Sequence, residues 1–499
     1  MSRKRKELPT LESFELTDIA AEGNALGRTE SGMVVFVPFG APGDIADIKI
    51  DKKKKSFAIG HISRMIKPSD MRVTPRCPHF GICGGCRWQH IPYERQLQCK
   101  QQQVADALER IAKVDIPGIT PILGSPEIWE YRNKMEYTFS NRSWLTFEQL
   151  ASGEDFSDRD AVGFHIPGAF DKVLDIHTCV LQNDITNRVR NHVRAFAKSR
   201  SLSFYDLRAQ HGLLRTMMIR VVTTGDIMVV MVFGEDNAAQ IKLVMDNLAE
   251  TFPEISSLQY VVNTKANDTF GDLEVYPYRG TPYIEEEMEG LRFRIGPKSF
   301  YQTNSRGAYQ LYRVVRNFAS LEGDELVYDL YTGTGTIANF VSRYCRHVVG
   351  IEYVPEAIED AKVNANVNSI DNTEFYAGDM KDVLNDQFVK EHGHPDVIIV
   401  DPPRAGMHQD VVDVLLRTAA MRIVYVSCNP ATQARDLALL DPLYRVTSVQ
   451  PVDMFPHTQH VENVVCLNLR DVPKQPQKAD QAGEDTSGGI KPVPESEEL

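Results

Sequence analysis

The sequence lacks any long hydrophobic run. Its longest apolar stretches, such as Ile227–Phe233, have the length of a β-strand, whereas a membrane-spanning helix needs about 20 apolar residues. The basic N-terminus, Met1–Lys6, has no apolar segment of the kind that a secretory signal carries. No internal repeat is found. The sequence therefore predicts a cytoplasmic protein and disfavours membrane-spanning and repeat architectures.

The chain has few cysteines, and its net charge is negative. Eight cysteines in 499 residues are too few for a small secreted disulfide scaffold, so a metal site and a catalytic thiol are the better interpretations. The net charge of −13 is a weak argument against a nucleic-acid partner. The charge is uneven, however, because residues 1–76 carry 14 Lys and Arg against 10 Asp and Glu. A local basic patch is therefore available for phosphate contacts.

The composition is that of a globular protein of about three domains, with 42% hydrophobic and 25% charged residues. From residue 305 onward, strands alternate with helices, which predicts a parallel sheet with crossover helices. The predicted organisation is a flexible basic arm (1–7), a small β module (8–67), a central α+β domain (68–300), an α/β domain (301–470) and a disordered acidic tail (471–499).

A Gly-rich turn, Gly333–Gly335, follows the first strand of the α/β part. Small residues there let the backbone approach a ligand closely. The next strand ends in Glu352, which can accept both hydroxyls of a ribose. Asp379 and Asp401 follow the third and fourth strands, and Asp379 is suited to bond an adenine amino group. Because ligands bind outside the carboxyl ends of such strands, the pattern favours S-adenosylmethionine; an ordinary strand-to-helix turn is the alternative.

Cys428 ends the fifth strand, and Asn429–Pro430 then begins a helix whose N-terminus is expected to favour the thiolate. His457, His460 and Glu462 come just before the last strand. A thiolate that adds to C6 of uracil turns the weakly nucleophilic C5 into an enolate carbon, and a base must then remove the C5 proton. Cys428 and Glu462 fit these two roles. A buried inert thiol and a solvated acid are the alternatives.

Five motifs within residues 295–468 together resemble the RNA uracil-5-methyltransferases. They are SFYQTN (Ser299–Asn304), DLYTGTG (Asp329–Gly335), VDPPRAG (Val400–Gly406), VSCNPAT (Val426–Thr432) and HVENVV (His460–Val465). The resemblance implies a Rossmann-like methyltransferase domain that uses S-adenosylmethionine, with Cys428 as the nucleophile and Glu462 as the base. It also implies a methyl-donor site formed by Gln302, Tyr331, Glu352, Asp379 and Asp401.

The N-terminal half resembles the branch of that family that modifies bacterial 23S ribosomal RNA. The β module at 8–67 resembles the TRAM RNA-binding domain. Cys77, Cys83 and Cys86 form a tight trio, and Cys179 would be the fourth ligand. The resemblance implies a [4Fe–4S] cluster, although from chemistry alone four thiolates could equally hold Zn²⁺.

Other functions stay open at this point. A tRNA enzyme of the same chemistry is similar in its catalytic half but lacks both N-terminal features. A nonenzymatic iron–sulfur RNA-binding protein has no use for Cys428 together with Glu462, and an amino-group methyltransferase needs no thiol. Phe300 and Tyr301 either stack on a flipped uracil or belong to the core. Arg3–Lys6 and Lys52–Lys55 are candidate phosphate contacts.

Overall fold

Three large β-sheets organise the chain in the computed structural model, which describes residues 8–470. The predicted arm (1–7), with its candidate phosphate contacts Arg3–Lys6, and the predicted tail (471–499) lie outside the described residues. Within residues 8–470, no helix is both long and apolar enough to cross a membrane.

The first sheet lies within residues 8–67 and has a small apolar core of its own, to which Val35, Val37 and Ile48 contribute. Its strands are β1 (Thr10–Glu15), β2 (Asp18–Ile19), β3 (Ala25–Arg28), β4 (Val34–Val37), β5 (Ile45–Lys53) and β6 (Phe57–Lys67), in the spatial order β1-β5-β6-β4-β3-β2. Lys52–Lys55 are exposed at the end of β5 and the turn that follows it, and β5 and β6 pair as an antiparallel hairpin.

The central part contains a seven-stranded sheet of order β13-β12-β11-β10-β7-β8-β9 and a separate hairpin, β14-β15. Its elements are α1 (Tyr93–Ala107), which a π-helical turn (Leu108–Ala112) extends, β7 (Lys134–Ser140), α2 (Phe147–Ala151), β8 (Ala161–Ile166), β9 (Ala169–Asp175), α3 (Asp184–Ser199), β10 (Leu214–Val221), β11 (Ile227–Phe233), α4 (Ala238–Thr251), β12 (Ser257–Val262), β13 (Tyr276–Gly280), β14 (Ile284–Met288) and β15 (Leu291–Ile295). The strand-like runs YRNKMEYTFS, AVGFHI, LRTMMIRVVTT, DIMVVMVFG and LQYVVNT in the sequence predict β7, β8, β10, β11 and β12. The strands β9, β13, β14 and β15 are not predicted.

The third sheet, here called the catalytic sheet, has the order β18-β17-β16-β19-β20-β22-β21. Its elements are α5 (Ser305–Ala319), β16 (Leu326–Leu330), α6 (Thr336–Val341), a 3₁₀ turn (Ser342–Tyr344), β17 (His347–Glu352), α7 (Pro355–Val367), β18 (Thr373–Ala377), α8 (Met380–Val383), α9 (Asp386–His392), β19 (Val397–Val400), α10 (Gln409–Thr418), β20 (Arg422–Ser427), α11 (Pro430–Leu440), β21 (Tyr444–Val452) and β22 (Glu462–Leu469). The strands from β18 to β20 are parallel, and β22 is antiparallel to both its neighbours. This arrangement confirms the predicted Rossmann-like α/β domain.

Both faces of the catalytic sheet are buried. The core on one face includes Val104 and Leu108, so α1 packs on this sheet although the sequence places it in the central part. The core on the other face is continuous with Val230 and Val232 of β11. Burial of both faces leaves the carboxyl ends of the parallel strands as the place for a ligand. The predicted domain limits at 67/68 and 300/301 stay predictions.

Candidate active site

The carboxyl ends of β16, β17, β19 and β20 meet at one edge of the catalytic sheet. Tyr331, Glu352, Asp401 and Cys428 stand at these four ends. Parallel pairing aligns the strands, since Leu330 pairs with Val400 in the last register position of β16 and β19. The structure therefore brings four of the predicted site residues together.

These four residues line one cavity of about 1300 Å³, here called the acidic cavity, whose wall also includes Gln302, Phe300 and Gly333. Its wall carries one lysine, Lys298, and six carboxylates: Glu274, Glu352, Glu356, Asp360, Asp401 and Glu462. An excess of one charge sign in a cavity concentrates ligands of the opposite sign. The acidic cavity is thus suited to a cationic ligand.

Positive φ angles shape the turn between β16 and α6. Gly333 and Gly335 have φ of 56° and 71°, and Tyr331 has φ of 64°, a value that residues with a side chain rarely adopt. A Cβ atom at Gly335 would lie 2.8 Å from the Cβ of Ala361, so this position needs glycine. The Glu352 carboxylate holds the turn by accepting the N–H of Gly333 at 3.2 Å.

Asp379 is the predicted donor-site residue that the structure leaves outside the acidic cavity wall. Its carboxylate caps α8 by accepting the N–H of Lys381 and lies 3.5 Å from Lys381 Nζ. It is nevertheless close to Tyr331, since burial and then the Asp379 charge raise the pKa of Tyr331 to about 12. A role for Asp379 in adenine recognition stays a prediction.

Antiparallel pairing of β20 with β22 places Glu462 beside Cys428. Ser427 pairs with Asn463, so Cys428 and Glu462 occupy the next position of the register. Glu462 is buried, which overturns the alternative of a solvated acid. Burial, followed by the charge of Asp401, raises the pKa of Glu462 well above its usual range. A carboxylate with a raised pKa is a stronger base.

The prediction that Cys428 sits where its thiolate is favoured is wrong. Burial raises the pKa of Cys428 to about 11, with further increases from Glu462 and Asp401 and an opposing effect from Arg404. At the helix end, the Asn429 side chain caps α11 by accepting the N–H of Ala431. The thiol therefore needs an added positive charge nearby in order to ionise near neutral pH.

Cys428 also lines a groove of about 1690 Å³, here called the basic groove, between the first sheet, α1 and the catalytic sheet. Five arginines line it, namely Arg28, Arg87, Arg95, Arg110 and Arg404, against three carboxylates, Asp18, Glu22 and Asp106. Arginines that face one groove are suited to RNA phosphates. Among the described residues, Cys428 alone belongs to both walls. Lys52–Lys55 lie outside the groove wall.

Phe300 and Tyr301 differ in their surroundings. Phe300 is 67% exposed in the acidic cavity, whereas Tyr301 is 3% exposed and packs in the core near Phe293. The core interpretation is therefore right for Tyr301, and Phe300 remains available to contact a ligand. The neighbouring Gln302 is held through its backbone, because Asn133 Nδ2 donates to its carbonyl oxygen at 2.9 Å.

Asp329 and Arg404 lie within two of the five motifs, but neither residue is assigned a role in the site from sequence. Asp329 is buried beneath the Gly-rich turn and accepts the Thr332 hydroxyl at 2.5 Å. Burial raises its pKa to about 7, and burial with the charge of Asp329 does the same for Asp401. One signal was available, since an acidic residue in the apolar run LVYDL is unusual for a buried strand.

The four predicted cluster cysteines come together, although Cys179 is remote in sequence from the trio. All four are free and half-buried. Burial raises the pKa of Cys77, Cys83 and Cys86, and the nearby Cys179 raises each of them further. Backbone N–H groups of Gly85 and Leu181 stabilise the charged forms of Cys83 and Cys179. In residues 8–470, no three His, Cys, Asp or Glu side chains are arranged to hold a metal ion.

Known proteins resemble this chain along nearly its whole length. Residues 280–470 match the family model of tRNA (Uracil-5-)-methyltransferase, and residues 15–63 match the TRAM domain. An uncharacterized RNA methyltransferase of Bacteroides thetaiotaomicron is 57% identical over 91% of this chain and 100% of its own length. Another from Porphyromonas gingivalis is 59% identical over 91% of this chain and 99% of its own length.

A solved structure is also similar. The tRNA (uracil-54, C5)-methyltransferase of Pyrococcus abyssi, in complex with S-adenosyl-L-homocysteine, has a TM-score of 0.70 and 29% identity and covers 91% of this chain and 99% of its own. Both the sequence relatives and this structure confirm the resemblance that the motifs indicate. The chain therefore belongs to the RNA uracil-5-methyltransferase family, and it carries a TRAM domain ahead of its catalytic sheet.

Proposed function

We propose that this protein transfers a methyl group from S-adenosylmethionine to C5 of a uridine in 23S ribosomal RNA. The observation that carries the proposal is the position of Cys428 between the acidic cavity and the basic groove, beside Glu462. The acidic cavity is suited to a sulfonium cation, and the basic groove is suited to an RNA strand. The thiol lies where the two ligands meet.

Gln302, Tyr331, Glu352 and Asp401 are the residues that would hold the methyl donor. The Asp401 carboxylate lines the acidic cavity and has no hydrogen-bond partner in the described part of the chain, so it is free to accept from a ligand. When bound, the donor supplies a methyl group on a cationic sulfur. A cation in this cavity lowers the pKa of Cys428 and so favours the reactive thiolate.

The reaction proceeds by addition and elimination on the uracil ring. Cys428 Sγ adds to C6, and the electrons of the C5–C6 bond move to form the enolate at C4. The enolate electrons then form a bond from C5 to the methyl carbon, the sulfur–methyl bond breaks, and S-adenosylhomocysteine leaves as a neutral thioether. C5 is now tetrahedral and still carries its proton. Glu462 accepts this proton, the C5–C6 double bond re-forms, and the thiolate departs. A flipped base is needed, since C6 is shielded in a stacked strand.

Two features support ribosomal over transfer RNA. The 23S branch of the family, which the N-terminal half of this chain resembles, has both a TRAM domain and four cluster cysteines. This chain also has a TRAM domain, and its four corresponding cysteines lie near one another. The opposing observation is that the similar solved structure is that of a tRNA enzyme. The same site chemistry serves both substrates, so tRNA is the second candidate.

We expect 5-methyluridine in 23S rRNA after incubation of the purified protein with unmodified 23S rRNA and S-adenosylmethionine. Mass-spectrometric mapping locates the product, and an unmodified tRNA pool is treated in parallel. The Cys428→Ala variant is the control. Product in tRNA alone would overturn the ribosomal assignment, and product in neither RNA would overturn the proposed reaction.

We further infer that Cys77, Cys83, Cys86 and Cys179 bind a [4Fe–4S] cluster. The set supports a cluster, because four free thiols share one region. Backbone N–H groups of Gly85 and Leu181 offset part of the pKa rise that burial causes at Cys83 and Cys179. From chemistry alone four thiolates also suit Zn²⁺, and the resemblance of the N-terminal half to the 23S branch is what favours an iron–sulfur cluster. The cluster would crosslink the segment at 77–86 to the segment around Cys179.

Anaerobically purified protein is expected to contain about four iron atoms per chain and to absorb visible light as iron–sulfur proteins do. The Cys86→Ser variant is expected to lose iron and to unfold at a lower temperature, because it loses a ligand of the crosslink. Cys99→Ser, which changes a half-buried thiol outside the set, should keep both properties. Bound zinc in place of iron would contradict the assignment.

A further inference from the structure

The loop between β21 and β22, residues 453–461, is held by buried contacts from α1. Lys100 Nζ donates to Asp453 Oδ1 at 2.6 Å, and neither side chain has exposed surface. The same ammonium donates to the Phe455 carbonyl at 3.0 Å. The Tyr93 hydroxyl donates to the other Asp453 oxygen at 2.9 Å. This loop leads directly into Glu462, so α1 fixes the chain just ahead of the proposed base.

His457, at the middle of the loop, is fixed from several sides. Gln96 Oε1 accepts its backbone N–H at 2.8 Å, and Gln96 Nε2 lies 3.2 Å from its ring Nδ1. The Trp129 ring stacks on the imidazole with centroids 3.8 Å apart. The backbone N–H groups of Arg87 and Trp88 both donate to its carbonyl oxygen. With φ of 65°, His457 has a backbone conformation that persists only when its surroundings impose it.

Stability alone is a weak reason for such a network. Removing an ion pair from water costs so much that apolar replacements are often as stable or more stable. Lys100 and Gln96 are both fully buried polar residues on a helix that already packs through Val104 and Leu108. In addition, burial and Asp401 raise the pKa of Glu462, and the Lys100 charge is close enough to oppose part of that rise. The network is therefore close to the proposed base as well as part of the core.

We propose that Gln96 and Lys100 are positioning residues for Glu462. Through His457 and Asp453 they hold the loop in the one conformation that directs the Glu462 carboxylate to the C5 proton. Neither residue touches the nucleotide or the methyl donor in this scheme. The inference rests on the proposed function, because it assigns the positioned group the role of base.

The scheme makes a prediction about which step fails. Cys428 is carried by the β20–α11 turn, and none of the hydrogen bonds of Gln96 or Lys100 reaches that turn. Gln96→Leu should therefore leave adduct formation and methyl transfer intact and slow only the loss of the C5 proton. Turnover should fall by about tenfold to a hundredfold, the effect of a base displaced by about 1 Å. A methylated covalent protein–RNA complex should accumulate, which a general loss of structure would not produce.

The experiment follows labelled RNA on denaturing gels after single turnover with Gln96→Leu and Lys100→Met. Gln409→Leu and Lys242→Met are the matched controls, since they make the same changes at exposed positions. Binding of S-adenosylhomocysteine, measured by calorimetry, should be unchanged. Trp129→Leu removes the half-buried ring that stacks on His457 and that Arg76 also contacts, so it tests the loop if the Gln96 variant fails to fold.

Slow turnover with accumulated complex in Gln96→Leu or Trp129→Leu supports the inference. Slow turnover of a folded variant without the complex overturns it, as does full activity. Glu462→Gln is run beside these variants. If Glu462→Gln accumulates the complex and the loop variants do not, only the positioning role fails; if Glu462→Gln does not, the assignment of the base itself fails.

Discussion

Replacing Cys428 with alanine is expected to reduce uridine methylation by at least about 10⁴-fold, the scale on which loss of a nucleophile acts. Without the thiol, C6 receives no nucleophile, and C5 stays too weakly nucleophilic to accept a methyl group from a sulfonium. The covalent protein–RNA complex should disappear entirely. Transfer of labelled methyl groups to RNA measures the first effect, and a denaturing gel measures the second.

The cysteine variant should remain folded and able to bind the donor. Removal of a half-buried thiol leaves the acidic cavity wall otherwise intact, so the affinity for S-adenosylhomocysteine should be close to that of the parent. Cys345→Ala, a change at a buried thiol outside both cavity walls, is the matched control and should retain activity. Full methylation by Cys428→Ala would instead indicate a mechanism without a thiol, as in an amino-group methyltransferase.

Replacing Glu462 with glutamine is expected to trap the reaction after methyl transfer. The amide cannot accept the C5 proton, so the thiolate cannot leave. Turnover should fall by about 10²- to 10⁴-fold, the usual contribution of a general base. The methylated covalent complex should accumulate. On the same gel, Cys428→Ala should show no such complex.

The same substitution has a second expected effect, on the thiol itself. The Glu462 charge contributes to the raised pKa of Cys428, so its removal should lower that pKa and speed alkylation of Cys428 at an alkaline pH at which the Glu462 carboxyl is ionised. Mass spectrometry of the Cys428 peptide measures the rate. Glu374→Gln, an exposed carboxylate on β18, should change neither property. A folded Glu462→Gln variant with normal turnover would refute the role of base.

The residues at the strand ends could be predicted from sequence because each is marked by the short segment that contains it. Apolar runs of strand length followed by Gly, Asp or Cys indicate parallel strands whose ends meet, and Tyr331, Glu352, Asp401 and Cys428 do meet. The strands that were missed carry weaker signals. In β14, for example, Glu286 occupies a buried position between Ile284 and Met288, so the apolar alternation is broken.

Properties that depend on the assembled surroundings could not be predicted. The pKa of Cys428 is raised by burial and then by carboxylates from other strands, Glu462 and Asp401. The arginines of the basic groove come from separate parts of the chain and form no motif. Lysine is a residue type that ordinarily lies at the surface, yet the structure buries Lys100 against Asp453.

Cys428 is the one residue, among the described residues, that the walls of the acidic cavity and the basic groove share, and this bears on the kinetic order. With the donor in the cavity and RNA in the groove, as proposed, neither ligand covers the wall that holds the other. We therefore expect the two ligands to bind in random order, so that a bound RNA does not prevent exchange of the donor.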